Sequence, residues 1–357
     1  MKVAILGAGN IAFANAALLA HHGHAVVLWS PSGKGTAGLA NGLLDYTGAI
    51  AGTAAVAVAP DAASALKDAE VVIISVPAYG HGAVMRACAP HLRAGQAVFV
   101  MPMLSLSSLY LAQLLQARGI QAPIASFGTS VMTARKTGPA SVNLISIRSR
   151  LDIATLPASS GAEGMRLANA LFGERFAQLD NTLAVALVNV NPISHVPLAL
   201  ANLTRIEKAQ SWTQYDHMTG AVARMISAID LERLAVARAF GLTVRSVEEH
   251  FHLSFGVAMA DLGAQAQAVH DTLGSPAGPV ALDSRYFTED VPYGIAFYAA
   301  LGRIAGVPTP ALDACVTLAS VACARDFARD NEFIAAIGMD RMERAQLLAL
   351  ARDGYMD

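Results

Sequence analysis

The chain is poor in charge and in aromatics, which make up 15% and 6% of its 357 residues. Lysine and arginine number 25 against 27 aspartates and glutamates, a formal charge of −2. With neither sign in excess and no run of like charges, no electrostatic footprint for nucleic acid or an anionic membrane exists. Low-complexity tracts and clear internal repeats are absent, so solenoid arrays are excluded. Cysteine is scarce: Cys88, Cys315 and Cys323 are odd in number and not closely paired. That argues against a disulfide framework or a thiolate zinc site and suits a reducing compartment, so a cytoplasmic location is expected. No metal site is expected either. His250 and His252 are two residues apart and would point to different faces of a helix, with no third ligand in view.

What the chain has is apolar residues: 54% of the total, with a mean hydropathy of +0.44. No stretch offers the ~18 uninterrupted apolar residues of a spanning helix, so no membrane partner is expected. The opening "MKVAILGAGNIAFANAALLAHHG" imitates a secretory leader, with Lys2, an apolar run and Ala14-Asn15-Ala16 as a mock cleavage site. Gly7, Gly9 and Asn10 interrupt that run at a meaningful spacing. The length suits about two domains at roughly 150 residues each.

Short apolar stretches alternate with helical ones in the first half. Lys2–Leu6 and Ala25–Trp29 read as buried strands flanking a helix over Asn10–His22. Leu43–Ala59 reads as a hairpin around Ala51-Gly52, and Asp61 as the cap of a helix through Lys67. A strand over Glu70–Val76, a helix over Gly82–His91, a strand over Ala97–Met101, a helix over Leu106–Arg118 and a strand over Pro123–Phe127 follow. Ala140–Arg148 alternates like one or two further strands. The expected fold is a Rossmann-like doubly wound α/β sheet domain, residues 1–180, followed by an all-α domain, residues 181–357. In the second half helices are expected at Thr182–Val190, Pro197–Ala209, Gly220–Phe240, Val244–Phe251, after Val291 and over Ala311–Asp330.

"VAILGAGNIA" places Gly7-x-Gly9-x-x-Ala12 directly after a strand and at the start of a helix. Gly7 permits the tight turn, Gly9 lets backbone approach a pyrophosphate, and Ala12 allows close helix–strand packing. The helix N-terminus then faces the phosphate charge. Gly7, Gly9, Asn10, Ile11 and Ala12 are therefore candidate cofactor contacts. The second strand ends in "VVLWSPSGKG" with no carboxylate for ribose hydroxyls. Ser30, Ser32 and Lys34 suit a 2′-phosphate instead, which favours NADP and leaves NAD open. Val76 and Pro77, at the end of a later strand, would flank the same site; ordinary strand termination accounts for them equally.

Two stretches in the second half carry reactive side chains. "NPISHVPLALAN", Asn191 to Asn202, sets His195 among prolines and asparagines. "DSRYFTEDVPYG", Asp283 to Gly294, groups Arg285, Glu289 and Asp290. Taken singly, each has a structural explanation: a satisfied core histidine, a surface ion pair, a helix cap at Thr288 or Asp290.

Read together and in this order, Gly7-x-Gly9-x-x-Ala12, Asn191-Pro192-x-x-His195 and Arg285-Tyr286-x-x-Glu289-Asp290-Val291-Pro292 resemble the octopine/nopaline (opine) dehydrogenase family. "AIDLERLAVARAFGL" (Ala228–Leu242) resembles its helical domain. The resemblance implies an NAD(P)H-dependent oxidoreductase acting on CH–NH bonds. An amino acid's amine and a pyruvate-like 2-oxo acid form an imine, which is reduced to an N-(carboxyalkyl) amino acid. It implies His195 and Asp290 as the catalytic pair, and Arg285 and Asn191 as substrate contacts. Histidine titrates near neutrality, and a guanidinium fork matches a carboxylate. Asp216, Asp230, Glu232 and Asp261 are available to an amine donor's cationic side chain, with none preferred. Amine donor, oxo acid and product stereochemistry stay open, as does a homodimer. The alternatives are a ketopantoate or glycerol-3-phosphate type reductase and a non-catalytic dinucleotide sensor. The reductases characteristically use a lysine in the helical domain, and Lys208 is the only lysine after Lys136.

Overall fold

Val3 to Leu6 lose all contact with solvent in strand β1 (Lys2–Leu6). Burying such side chains stabilises by roughly 1.5–3 kcal/mol each, and their continuous apolar run suits a parallel strand covered on both faces. The computed structural model describes residues 1–355. After β1 come α1 (Asn10–His21), β2 (Ala25–Trp29), β3 (Leu43–Gly48), β4 (Gly52–Ala55), β5 (Ala57–Val58), α2 (Ala62–Leu66) and β6 (Val71–Ile74). Then follow α3 (Ala78–Cys88), β7 (Ala97–Val100), α4 (Ser107–Gln116), β8 (Ile124–Phe127), β9 (Met132–Gly138) and β10 (Ser141–Ile147). β11 (Leu151–Leu156), α5 (Gly161–Phe172) and β12 (Phe176–Gln178) complete this half.

The main sheet runs β12-β11-β8-β7-β6-β1-β2-β5. From β5 to β8 all neighbours are parallel. The chain moves outward from β1 on one side, then returns to begin again at β6 on the other. That reversal is the switch point at which doubly wound sheets bind ligands. β11 adds antiparallel to β8. A second sheet, β4-β3-β10-β9, contains the expected hairpin as β3 and β4. Asp61 caps α2, its carboxylate accepting from the Ser64 N–H at 2.7 Å.

Several elements differ from expectation. α3 starts at Ala78, straight after Pro77, because Gly80 and Gly82 are tolerated inside it. β9 carries Arg135 and Lys136 on an alternating, half-exposed strand that a search for apolar runs passes over. The segment resembling a secretory leader forms β1 and α1, with Ala14, Asn15 and Ala16 buried.

The compact units are Met1–Ala186 together with the segment from Leu348 onward, and Leu187–Leu347. The division falls inside α6 (Thr182–Val188), a few residues past the expected 180. The terminal segment, expected with the helices, joins the sheet unit: the Thr182 hydroxyl donates to the Ala351 carbonyl at 2.8 Å. The second unit contains α7 (Asn191–Ala201), α8 (Leu203–Glu207), α9 (Gly220–Ala239), α10 (Val247–Phe255), α11 (Leu262–Leu273) and α12 (Arg285–Thr288). A π-helical turn at Val291–Ile295 leads into α13 (Ala296–Ala305), followed by α14 (Pro310–Cys323), α15 (Glu332–Ala336) and α16 (Arg344–Asp353). Pro197 lies inside α7 rather than starting a helix. One stretch, Thr182–Ala201, is long and apolar enough to cross a membrane by length and composition, yet 78% of its most apolar window is buried in protein. Its average hydropathy absorbs Asn189, Asn191 and His195, which break the uninterrupted run.

Candidate active site

At the switch point Gly7 takes φ +145°, and a Cβ there would stand 2.2 Å from the Ser75 carbonyl oxygen. No other residue fits this approach of β1 to the end of β6. Gly9 is different. It caps α1 in extended conformation, and its missing Cβ would meet nothing within 4 Å. The protein leaves space over Gly9 at the helix N-terminus, where backbone N–H groups lack partners. A pyrophosphate would meet both there. Ala12 is fully buried beneath and Ile11 half-buried. The Asn10 side chain is committed, its Oδ1 accepting from the Lys136 N–H at 2.9 Å. After β2, the Ser30 hydroxyl is buried with no hydrogen-bond partner, and Lys34 is exposed. A buried hydroxyl without a partner is costly alone and would be satisfied by a ribose hydroxyl or phosphate. Val76 and Pro77 sit between β6 and α3, where the Val76 carbonyl accepts from His81 Nε2 at 3.1 Å. These residues fit a dinucleotide.

In the second unit, His195 and Asp290 meet. His195 Nδ1 lies 2.9 Å from Asp290 Oδ2, with the two side chains 24% and 9% exposed. A carboxylate only accepts, so Nδ1 carries the proton. No described residue bonds Nε2, which is left to accept or deliver a proton. Tyr286 stacks on the imidazole, ring centroids 4.0 Å apart and planes 8° from parallel. Burial, with the Asp290 charge nearby, pushes the Tyr286 hydroxyl far up, so it stays neutral. The helix-cap explanation for Asp290 does not hold: its carboxylate makes no cap bond. The Thr288 hydroxyl donates back to the Ser284 carbonyl at 3.1 Å.

Two local features bring this pair together. Pro192 stands near the start of α7, one turn before His195. Gly294 lies in the π turn that follows Asp290, and a Cβ on it would be 2.3 Å from Pro192 Cγ. The glycine lets that turn close on α7. π turns are rare and concentrate at functional sites. Arg285 pairs with Glu289 one helical turn away; the arginine side chain is 58% exposed, the glutamate 1%. It is thus anchored from below rather than forming a loose surface pair. Asn191 opens α7, exposed, its backbone N–H donating to Asn189 Oδ1 at 3.0 Å.

Three of the four acids available to an amine donor have structural tasks. Asp230 is buried against Arg233, with Arg233 Nε at 2.7 Å. Glu232 receives the N–H groups of Ala311 and Leu312 at 2.9 Å, and Asp261 caps α11. Asp216 remains exposed beside His217, 3.3 Å away. Sequence reasoning missed Tyr286 as a stacking partner, although it stands four residues before Asp290. It also missed Lys136, whose place at the glycine turn is set only by tertiary structure.

Residues 178–323 match the NAD/NADP octopine/nopaline dehydrogenase α-helical domain family. Residues 2–103 match the N-terminus of NAD-dependent glycerol-3-phosphate dehydrogenase. The shared sheet domain is therefore common to both readings, and the helical half separates them. In fold, the chain is similar to octopine dehydrogenase solved with NADH and L-arginine, at a TM-score of 0.82 and 18% identity over 100% of both chains. It is likewise similar to yersinopine dehydrogenase with bound NADP+, at 0.73 and 18% over 97% of this chain and 95% of that one. An opine dehydrogenase of Arthrobacter sp. (strain 1C) is 30% identical over 347 residues, 96% of either chain. By that likeness along nearly its whole length, the chain is an NAD(P)-dependent oxidoreductase and belongs to the octopine/nopaline (opine) dehydrogenase family.

Proposed function

We propose that this chain joins the amine of an amino acid to a 2-oxo acid by reductive condensation, with His195 as the proton-handling group. The observation that carries this is the His195–Asp290 pair with its unbonded Nε2. Condensation expels the carbonyl oxygen as water, so that oxygen must be protonated. Protonated Nε2 of His195 is the donor, and the Asp290 carboxylate stabilises the imidazolium while holding the ring. Arg285, anchored by Glu289, grips a substrate carboxylate, and Asn191 at the start of α7 adds a polar contact. Bound NAD(P)H supplies the hydride that reduces the imine.

NADPH is the preferred reductant in this reading. Ser30 and Lys34 stand where an NAD site would carry a carboxylate, and the Ser30 hydroxyl has no other partner. Gly7, Gly9, Asn10, Ile11, Ala12, Val76 and Pro77 frame the dinucleotide.

Pyruvate and L-arginine, ligands in octopine dehydrogenase structures, are the first substrates to try, followed by a mixed amino-acid pool. Cofactor oxidation that needs both an amine and an oxo acid supports the proposal. Oxidation with the oxo acid alone would instead support a keto-acid reductase. NADPH and NADH compared in the same assay test the cofactor preference.

A further inference from the structure

Lys136 lies on β9 in the smaller sheet, far along the chain from the glycine turn, yet it meets that turn and its surroundings four times. Its backbone N–H donates to Asn10 Oδ1 at 2.9 Å. Its Nζ donates to the Ala8 carbonyl at 3.4 Å and the Gly35 carbonyl at 3.3 Å. The ammonium also sits 3.5 Å from the centroid of the Phe13 ring on α1. Ala8 lies between the two cofactor glycines, and Gly35 directly follows Lys34. These turns touch: a Cβ on Gly35 would be 2.5 Å from Ala8 Cβ.

The ammonium has no carboxylate partner among the described residues. Partial burial draws its pKa below the usual lysine value. Two carbonyl dipoles and a ring face compensate a partly buried cation only in part. A cation held this way is matched when an anion arrives beside it. The pyrophosphate has the N-terminus of α1. The turn after β2 opens only a 3-10 helix of 6 residues, Lys34–Leu39, against the 12 of α1, and its anion would be the 2′-phosphate.

We propose that Lys136 is a specificity-determining residue for the cofactor. It ties the glycine turn to the turn carrying Ser30 and Lys34, and it supplies positive charge toward the 2′-phosphate of NADPH. This rests on the NADP preference proposed above.

The test is equilibrium binding, read by fluorescence titration of NADPH and NADH in wild type, K136Q and K136R. K136Q should weaken NADPH by about tenfold or more, the loss of one bond to a charged group, and NADH by under about threefold. K136R should keep the wild-type ratio. Equal weakening of both cofactors, or none of NADPH, overturns the assignment. A measurement on the wild type covers the case in which K136Q does not fold. 2′,5′-ADP should shield Lys136 from reductive methylation, read by mass spectrometry, more than 5′-AMP does, and equal shielding overturns the proposal. Wild type that binds NADH more tightly than NADPH would sink the cofactor preference instead, and the K136Q ratio would still judge the lysine.

Discussion

Gly294 approaches Pro192 so closely that a Cβ on it would lie 2.3 Å from the proline Cγ. The contact couples the π turn after Asp290 to the start of α7, the helix that carries His195. Gly294→Ala should push the two apart. Overpacking of this kind costs roughly 1–3 kcal/mol, so the melting temperature falls. Turnover should fall further than stability explains, because the 2.9 Å bond between His195 and Asp290 is stretched. Wild-type turnover in a folded Gly294→Ala protein would show that the turn does not position the pair.

Substitutions at Gly7 and Gly9 should fail in different ways. Gly7→Ala sets a Cβ 2.2 Å from the Ser75 carbonyl oxygen at a φ of +145°, so the protein itself is destabilised. Gly9→Ala meets no protein atom within 4 Å. It should melt near wild type and lose affinity for NADPH and NADH alike. Thermal melts beside fluorescence titration read both outcomes. A Gly9→Ala protein with unchanged cofactor affinity contradicts the placement of the pyrophosphate.

Arg285 and Glu289 can be separated by a double substitution. Arg285→Ala removes an ion-pair partner of a carboxylate that is 1% exposed, so it should lower the melting temperature. It should also raise KM for the 2-oxo acid by about tenfold or more, as expected for a lost charge-assisted contact. Adding Glu289→Gln should restore stability and leave KM high. If KM recovers with stability, the arginine acts through the fold alone.

His81, inside α3, links the loop after β6 to the start of α4. Its Nε2 donates to the Val76 carbonyl at 3.1 Å, and its Nδ1 lies 2.9 Å from the Ser107 hydroxyl, which therefore donates. Complete burial lowers its pKa to about 4. The folded histidine thus stays neutral at pH values where the unfolded chain takes up a proton. Its contribution is full above about 6.5 and is lost as pH falls toward 4, by about 3 kcal/mol at most. Melting temperature should decline across that window, and His81→Gln should flatten the decline. An identical slope in the variant would assign the acid sensitivity to other groups.

The sheet half was largely legible because β1, β2, β6, β7 and β8 are buried apolar runs closed by glycine, proline or serine. β9 was not, since Arg135 and Lys136 make it look like a solvated loop until its pairing with β10 is known. Helix α9 announced itself by length and period. α7 hid its start, because Pro197 looks like a helix beginning when Pro192 already provides one. Local sequence singled out His195 and Asp290 but could not bring them together. The 2.9 Å contact depends on the missing side chain of Gly294 and on a π turn, neither of which has a periodic signal. Arg285 was visible as a cation, while its anchoring on Glu289 needed the single helical turn of α12.

The role of His195 is tested by the turnover of His195→Ala with amine and oxo acid both present, measured beside its NADPH affinity. Turnover should fall by roughly 10²–10⁴, the range for a general acid–base group, with cofactor affinity unchanged. A His195→Ala enzyme that turns over at the wild-type rate would contradict that role.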